Sequence, residues 1–325
     1  MSSGGFVSFI KKVKNKLALK SKQFTPSPSN QDPCSDYMEK LAFNERHYKS
    51  RNVLRTRSAA MLLHNHFILH GQDLGLEAHP LQRSKALIAA AKTKEKALEI
   101  GPFCKPALVG QNIKYFDVLD QQGLINRASS SGFKKKPAPF IEFVSPCGDL
   151  SIINEKFDVI FAAHCIEHQP DLIDHLNKVA NILSATGKYF LIIPDKRYCF
   201  DHFIQPSSVE DVIDAHNLKL KTHSRYNVIA AETLSSHNNR LLHWLGEHGK
   251  HPNIDEESRA YKSAIDQYNF ANGAYIDVHA WRFSPTSFYK IVETLYTRGL
   301  IGLRPKIVCA TCRGRKEFTA ILSKN

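Results

Sequence analysis

From residue 97 onward, short apolar runs alternate with amphipathic stretches. The runs are ALEI (97–100), IKYFDVL (113–119), FIEFV (140–144), FDVIFAA (157–163) and KYFLIIP (188–194). Each is short, rich in β-branched or aromatic residues, and bounded by polar residues, Gly or Pro. That pattern predicts five strands. Between the last two lies PDLIDHLNKVANILSATG (170–187), with Leu172, Leu176, Val179 and Leu183 on one helical face. Pro170 suits the first turn of that helix, and Gly187 suits its end. Nearly continuous apolar strands alternating with helices predict a parallel sheet covered on both faces.

The pattern changes at both ends. SPTSFYKIVETLYTRGL (284–300) predicts a helix with Ser284 or Thr286 as its cap. KIVCATC, RGRK and EFTAILSK then predict an antiparallel hairpin (306–324). Residues 37–95 read as mostly helical. At the start of the chain, Phe6, Ile10, Val13 and Leu17 are spaced as one helical face among lysines. They predict a basic amphipathic helix over 6–20, which can lie on an anionic membrane or dock on the body. The Pro- and Ser-rich stretch 25–36 reads as a linker. The expected organisation is therefore a helix and linker over 1–35, a helical extension over 36–95, and a main domain over 96–325. Residues 206–283 form a His-rich insertion in that domain, expected to cap the substrate.

Composition narrows the class. The chain has 325 residues, 42% of them hydrophobic, and no apolar run nears the ~20 residues that span a bilayer. Charge is uneven: residues 1–60 hold eight Lys and four Arg against four acidic residues, a large part of the net +13. A basic leader on a less basic body favours peripheral contact with an anionic surface over a nucleic-acid-binding body. The first residues lack the charge-then-apolar order of a secretory signal, so the expected location is cytoplasmic. Seven scattered cysteines fit reduced thiols. The single CxxC, Cys309 and Cys312, has no second pair to complete a zinc site.

Candidate chemistry lies at the strand ends, where open parallel sheets bind ligands. Glu99 and Gly101 close the first strand. Asp117 stands near the end of the second, where a carboxylate can accept both hydroxyls of a ribose. Asp149 follows the third, with Leu150 placed to pack on an adenine ring. His164 and Cys165 follow the fourth, in AAHCIEH.

In this order the residues resemble a class I S-adenosylmethionine-dependent methyltransferase. The matching segments are LEIGP, KYFDVLD, GDL, FDVIFAAHCIEHQPD and the terminal hairpin. PDKRYCFDHF and DVHAWRFSPTSF are similar to a subgroup associated with surface glycan synthesis. The resemblance implies an α/β, doubly wound, seven-stranded and mostly parallel sheet of Rossmann-like type. It implies an antiparallel C-terminal hairpin, with S-adenosylmethionine as cofactor. The implied cofactor-binding residues are Glu99, Gly101, Phe103, Asp117, Asp149, Leu150, His164 and Cys165. The family loop E/D-x-G-x-G-x-G is reduced here, because Phe103 and Lys105 replace its later glycines. A sulfonium cofactor carries no pyrophosphate, so one glycine can suffice.

Methyl transfer to a hydroxyl needs alignment and a base. His168, Glu167, Asp195 and His279 are the catalytic candidates, with Asp201, His202 and Asp277 nearby. Glu167 and His168 can alternatively cap the helix at Pro170. Lys196 and Arg197 could hold an acidic acceptor, or form a solvated turn. Glu167, His168, His202 and His279 could also form a metal site for a catechol-like or sugar diol acceptor, but their spacing is no standard motif and no metal ligands are assigned. The function expected is O-methylation of a small molecule or glycan. The rivals are a methyltransferase-like binding protein without catalysis and a nicotinamide oxidoreductase, which the missing glycines disfavour.

Overall fold

A computed structural model describes residues 35–52, 60–92, 95–130, 132, 137–252 and 254–324. The basic helix expected over 6–20 lies outside the described residues, as does the linker expected over 25–36 up to residue 34; Ser35 and Asp36 instead open a 3-10 helix, Ser35–Lys40. The helices of the extension are α1 (Glu45–Arg51), α2 (Ala60–His66) and α3 (Ser84–Ala91). Then come β1 (Ala97–Ile100), β2 (Ile113–Asp117), α4 (Gln121–Ser130), β3 (Phe143–Val144), β4 (Phe157–Ala163), α5 (Leu172–Ile182) and β5 (Leu183–Pro194). The insertion carries α6 (Val209–Asn217), α7 (Arg225–Leu234), α8 (Arg240–Trp244) and α9 (Arg259–Ala271). The chain ends with α10 (Pro285–Thr297), β6 (Arg304–Val308) and β7 (Glu317–Ser323).

The seven strands form one sheet in the order β3-β2-β1-β4-β5-β7-β6. β1 to β5 run parallel, and β7 lies antiparallel between β5 and β6. This is the Rossmann-like α/β arrangement that the sequence implied, hairpin included. Alternation along the strands sends side chains to two faces. Leu98, Ile100, Ile160, Leu191 and Ile193 pack with α5 and α10 on one face. Ala97, Val159, Phe161, Phe190 and Ile192 pack against Leu87 and Ala91 of α3 on the other. α3 of the helical extension thus packs on that second face of the sheet.

Three local expectations need correction. The helix after β4 starts at Leu172, with Asp171 as its cap: the Asp171 carboxylate accepts the Asp174 N–H at 2.9 Å. Pro170 and the Glu167-His168 pair precede the cap and do not serve it. The helix also ends at Ile182. Leu183 and the residues up to Gly187 belong to β5, because Leu183 pairs with Phe157 across the sheet. A Cβ on Gly187 would press on Leu183 and the Phe157 carbonyl at 2.8–3.0 Å, which favours glycine there. Finally, β3 is only two residues long. At the C-terminal end, Ser284 caps α10 in a capping box with Ser287.

β1 pairs with β2 on one side and β4 on the other, so the strand order reverses at β1. A crevice opens beyond the carboxyl ends of these strands.

Candidate functional site

The loop after β1 is held from below. The Glu99 carboxylate is buried and accepts the N–H groups of Ala107 (2.9 Å) and Leu108 (2.8 Å). Burial pushes its carboxyl up to about 7, against the pull of those two bonds. Glu99 therefore shapes the loop from beneath it and does not line the crevice. Gly101 takes a left-handed conformation, φ +69°. Phe103, where the family loop has its second glycine, is left-handed too, φ +49°. A non-glycine residue there costs about 1–2 kcal/mol. The backbone bend thus survives without the glycine. The Phe103 N–H joins those of Val118 and Leu119 in favouring the ionised form of Asp117. Burial nevertheless raises the Asp117 carboxyl above its ordinary value.

Gly101, Phe103, Asp117, Leu150, His164, Cys165 and His168 line one cavity of about 360 Å³. Gly148 and Val118 complete its inner wall. Cys165 is a half-buried wall residue: burial pushes its thiol up, and its sulfur lies 3.3 Å from the Ile100 carbonyl. Asp149 sits outside this lining. Its carboxylate accepts the Ser151 N–H at 3.0 Å and pairs with Lys178 at 2.8 Å. Lys178 and the Ser151 N–H hold its carboxyl down at about 2.

On the opposite wall, the turn Ile166–His168 meets the segment that ends the insertion. The Glu167 carbonyl accepts the N–H groups of Ala280 (2.8 Å) and Trp281 (3.0 Å), and the Gln169 carbonyl accepts the Trp281 indole N–H at 2.6 Å. These bonds bring His279 beside Glu167 and His168. His168 Nε2 and His279 Nε2 each lie 4.0 Å from Glu167 Oε1, and His164 Nδ1 lies 3.6 Å away. Glu167 is 0% exposed. Burial pushes its carboxyl up, but the three histidines outweigh burial and hold it below the usual carboxylate value. Burial holds His168 below the usual histidine value. Burial also disfavours a charged His279, but Asp201, 2.6 Å from its Nδ1, and Glu167 raise it.

Sequence reasoning missed two of the residues that close the cavity, Arg127 and Tyr275. Arg127 of α4 pairs with Asp277, which also accepts from the Tyr275 hydroxyl at 3.1 Å. Arg127, Tyr275 and Asp277 all line the cavity. YIDVH had drawn attention to Asp277, but nothing in the local sequence ties Arg127 to a residue 150 positions away.

The remaining candidates lie elsewhere. Asp195 is buried under β5, where it accepts from Arg197 Nη2 (2.7 Å) and the Thr311 hydroxyl (2.6 Å). Lys196 Nζ donates to the His202 carbonyl at 2.8 Å. Both cations just past β5 are thus engaged within the protein. His202 stacks on His248 with ring centres 3.7 Å apart, and His243 Nδ1 lies 3.0 Å from His248 Nδ1.

No family model and no curated protein matches the sequence. Among solved structures, the chain is similar to a S-adenosylmethionine-dependent methyltransferase from Clostridium acetobutylicum. Identity is 12%, 81% of this chain and 97% of that one are covered, and the TM-score is 0.36. It is similar to the mitomycin 7-O-methyltransferase MmcR at 12% identity and a TM-score of 0.33, with 74% of this chain and 53% of that one covered. The match therefore spans about half the length of MmcR. It is also similar to a structure described as a Zn-dependent alcohol dehydrogenase from Rhodobacter sphaeroides. There the identity is 8%, the TM-score 0.37, and the coverage 74% and 88%. These values do not discriminate between chemistries; the sheet order assigns the fold. No helix among the described residues is long and apolar enough to cross a membrane.

Proposed function

We propose that the crevice binds S-adenosylmethionine and that the chain transfers its methyl group to an oxygen of a small molecule or glycan. One observation supports this reading above the others. Gly101, Asp117, Leu150 and the His164-Cys165 pair come from four successive strand ends and line a single cavity where the strand order reverses. The residues fit the cofactor's parts. Asp117 would take the ribose hydroxyls, Leu150 and Gly148 would face the adenine, and the bent Gly101–Phe103 backbone would carry the amino-acid moiety. When bound, the cofactor supplies a methyl carbon already activated by the sulfonium. The chain's own residues orient the acceptor and exclude water, with Tyr275, Asp277 and Arg127 forming the outer wall. The Glu167, His168 and His279 cluster stands on the acceptor's side, where it would favour loss of the hydroxyl proton. Glycan as the acceptor class rests on PDKRYCFDHF and DVHAWRFSPTSF alone.

A catalytically silent binding protein is the second reading, and Phe103 in the glycine position favours it. Equilibrium dialysis with labelled S-adenosylmethionine tests both, with adenosine and a nicotinamide dinucleotide as competitors. Saturable binding displaced by S-adenosylhomocysteine supports the proposal. Displacement by the dinucleotide alone would overturn it, and failure to bind S-adenosylmethionine at all would favour the second reading.

A further inference from the structure

We propose that Glu167, His168 and His279 bind one divalent transition-metal ion of the zinc type, with an open coordination position toward the cavity. His168 Nδ1 lies 3.1 Å from the Val278 carbonyl, which can only accept, so that nitrogen carries the hydrogen. His279 Nδ1 meets the Asp201 carboxylate at 2.6 Å and carries its hydrogen likewise. In the neutral rings both lone pairs are then on Nε2, and both Nε2 atoms approach the same carboxylate oxygen. The three donor atoms lie within 4.8 Å of one another. Small side-chain shifts would place all three around one ion at the usual distances of about 2.0–2.2 Å.

The carboxylate is the independent sign. Glu167 is fully buried, and neither of its oxygens has a hydrogen-bond partner among the described residues. A buried carboxyl group without hydrogen bonds is costly unless a further group sits against it, and a metal ion is one such group. The surrounding groups are arranged as the outer partners of metal-binding histidines are. A carboxylate and a backbone carbonyl fix the two rings from their far nitrogens. The backbone bonds from Ala280 and Trp281 to Glu167 make the cluster rigid. Two histidines and one glutamate are a nitrogen-rich set that suits zinc over magnesium. Metal binding would displace any proton on His279 Nε2.

The donor atoms of His202, His243 and His248 lie equally close together, but their ring orientations differ. His202 and His248 rings are parallel within 8°, so their in-plane lone pairs cannot aim at one point. His243 and His248 already bond to each other.

His168 and His164 border the cavity, so an acceptor oxygen could complete the coordination. That role rests on the methyltransferase reading; the metal site itself does not. The test is calorimetric titration of the chelator-stripped full-length protein with zinc chloride alone, and with magnesium chloride. One equivalent of zinc is expected, with magnesium at least a hundredfold weaker. Glu167→Gln and His168→Ala should each weaken zinc binding at least tenfold, and His243→Ala should not. Cobalt substitution should give the visible absorption of a nitrogen- and oxygen-bound ion, lost in the same two variants. Absence of zinc binding, or its loss in His243→Ala alone, would overturn the assignment. Binding of S-adenosylhomocysteine is measured separately on the metal-free protein, so either reading can fail alone.

Discussion

The α-carbon of Gly101 faces the sulfur of Cys165, and a Cβ at Gly101 would run into it. The two residues come from the ends of neighbouring strands, β1 and β4, and together form the floor of the cavity. Gly101 is thus fixed twice, by its left-handed backbone and by the approach of Cys165. Gly101→Ala should lose about 1–2 kcal/mol of stability from the backbone conformation, and more from the clash. Ligand affinity should fall at least tenfold. In a Cys165→Ala background the clash disappears and only the backbone cost should remain. Denaturant melts of the four proteins in this cycle separate the two contributions.

Glu99 should act on the loop and not on the ligand directly. Glu99→Ala strands the buried N–H groups of Ala107 and Leu108, at about 1–3 kcal/mol each. Its carboxyl is raised from 4.5 to about 7 in the folded protein. Between those values the folded state holds a proton that the unfolded state has lost. This group's contribution to stability is therefore complete below pH 4.5 and declines as pH rises to about 7. Melting curves across that range should be flatter for Glu99→Gln than for the natural protein.

Much of this arrangement was legible in the sequence, for identifiable reasons. β1 and β4 were readable to the residue because both lie in mid-sheet and carry apolar runs broken only by Glu99 and Asp158. β3 was not: Phe140 is exposed, and only Phe143 and Val144 pair with β2. Asp117 and Leu150 were found because the sheet's topology dictates where strand ends meet. The proximity of His279 to His168 was not, since it depends on backbone bonds between a turn and a segment over a hundred residues later. Asp195 was drawn into the candidate set by its place after β5. Local pairing with Arg197, two residues on, accounts for it.

The Arg127–Asp277 pair bridges α4 and the end of the insertion across the cavity mouth. Asp277 is 56% exposed and Arg127 33%, so the pair should add no more than about 1 kcal/mol to stability. Its effect should appear in ligand kinetics. Arg127→Ala is expected to raise the dissociation rate of a cavity ligand several-fold with an unchanged melting temperature. Stopped-flow measurement in low and high salt checks this, since screening should mimic the substitution.

Asp149 should act as a clamp between the turn after β3 and α5. Its carboxyl is lowered from 3.8 to about 2 by Lys178 and the Ser151 N–H. Its contribution to stability is therefore present above pH 3.8 and lost as pH falls toward 2. The stability difference between the natural protein and Asp149→Asn should be constant above about pH 5 and shrink below pH 4. A difference that persists unchanged to the lowest pH reached with both proteins folded would contradict the clamp.

Calorimetric titration of the purified protein with S-adenosylhomocysteine, beside Asp117→Ala, tests the cofactor site. Micromolar binding to the natural protein, weakened at least tenfold in the variant with an unchanged melting temperature, is the predicted result. No binding to either protein, or equal binding to both, would contradict a cofactor site built on Asp117.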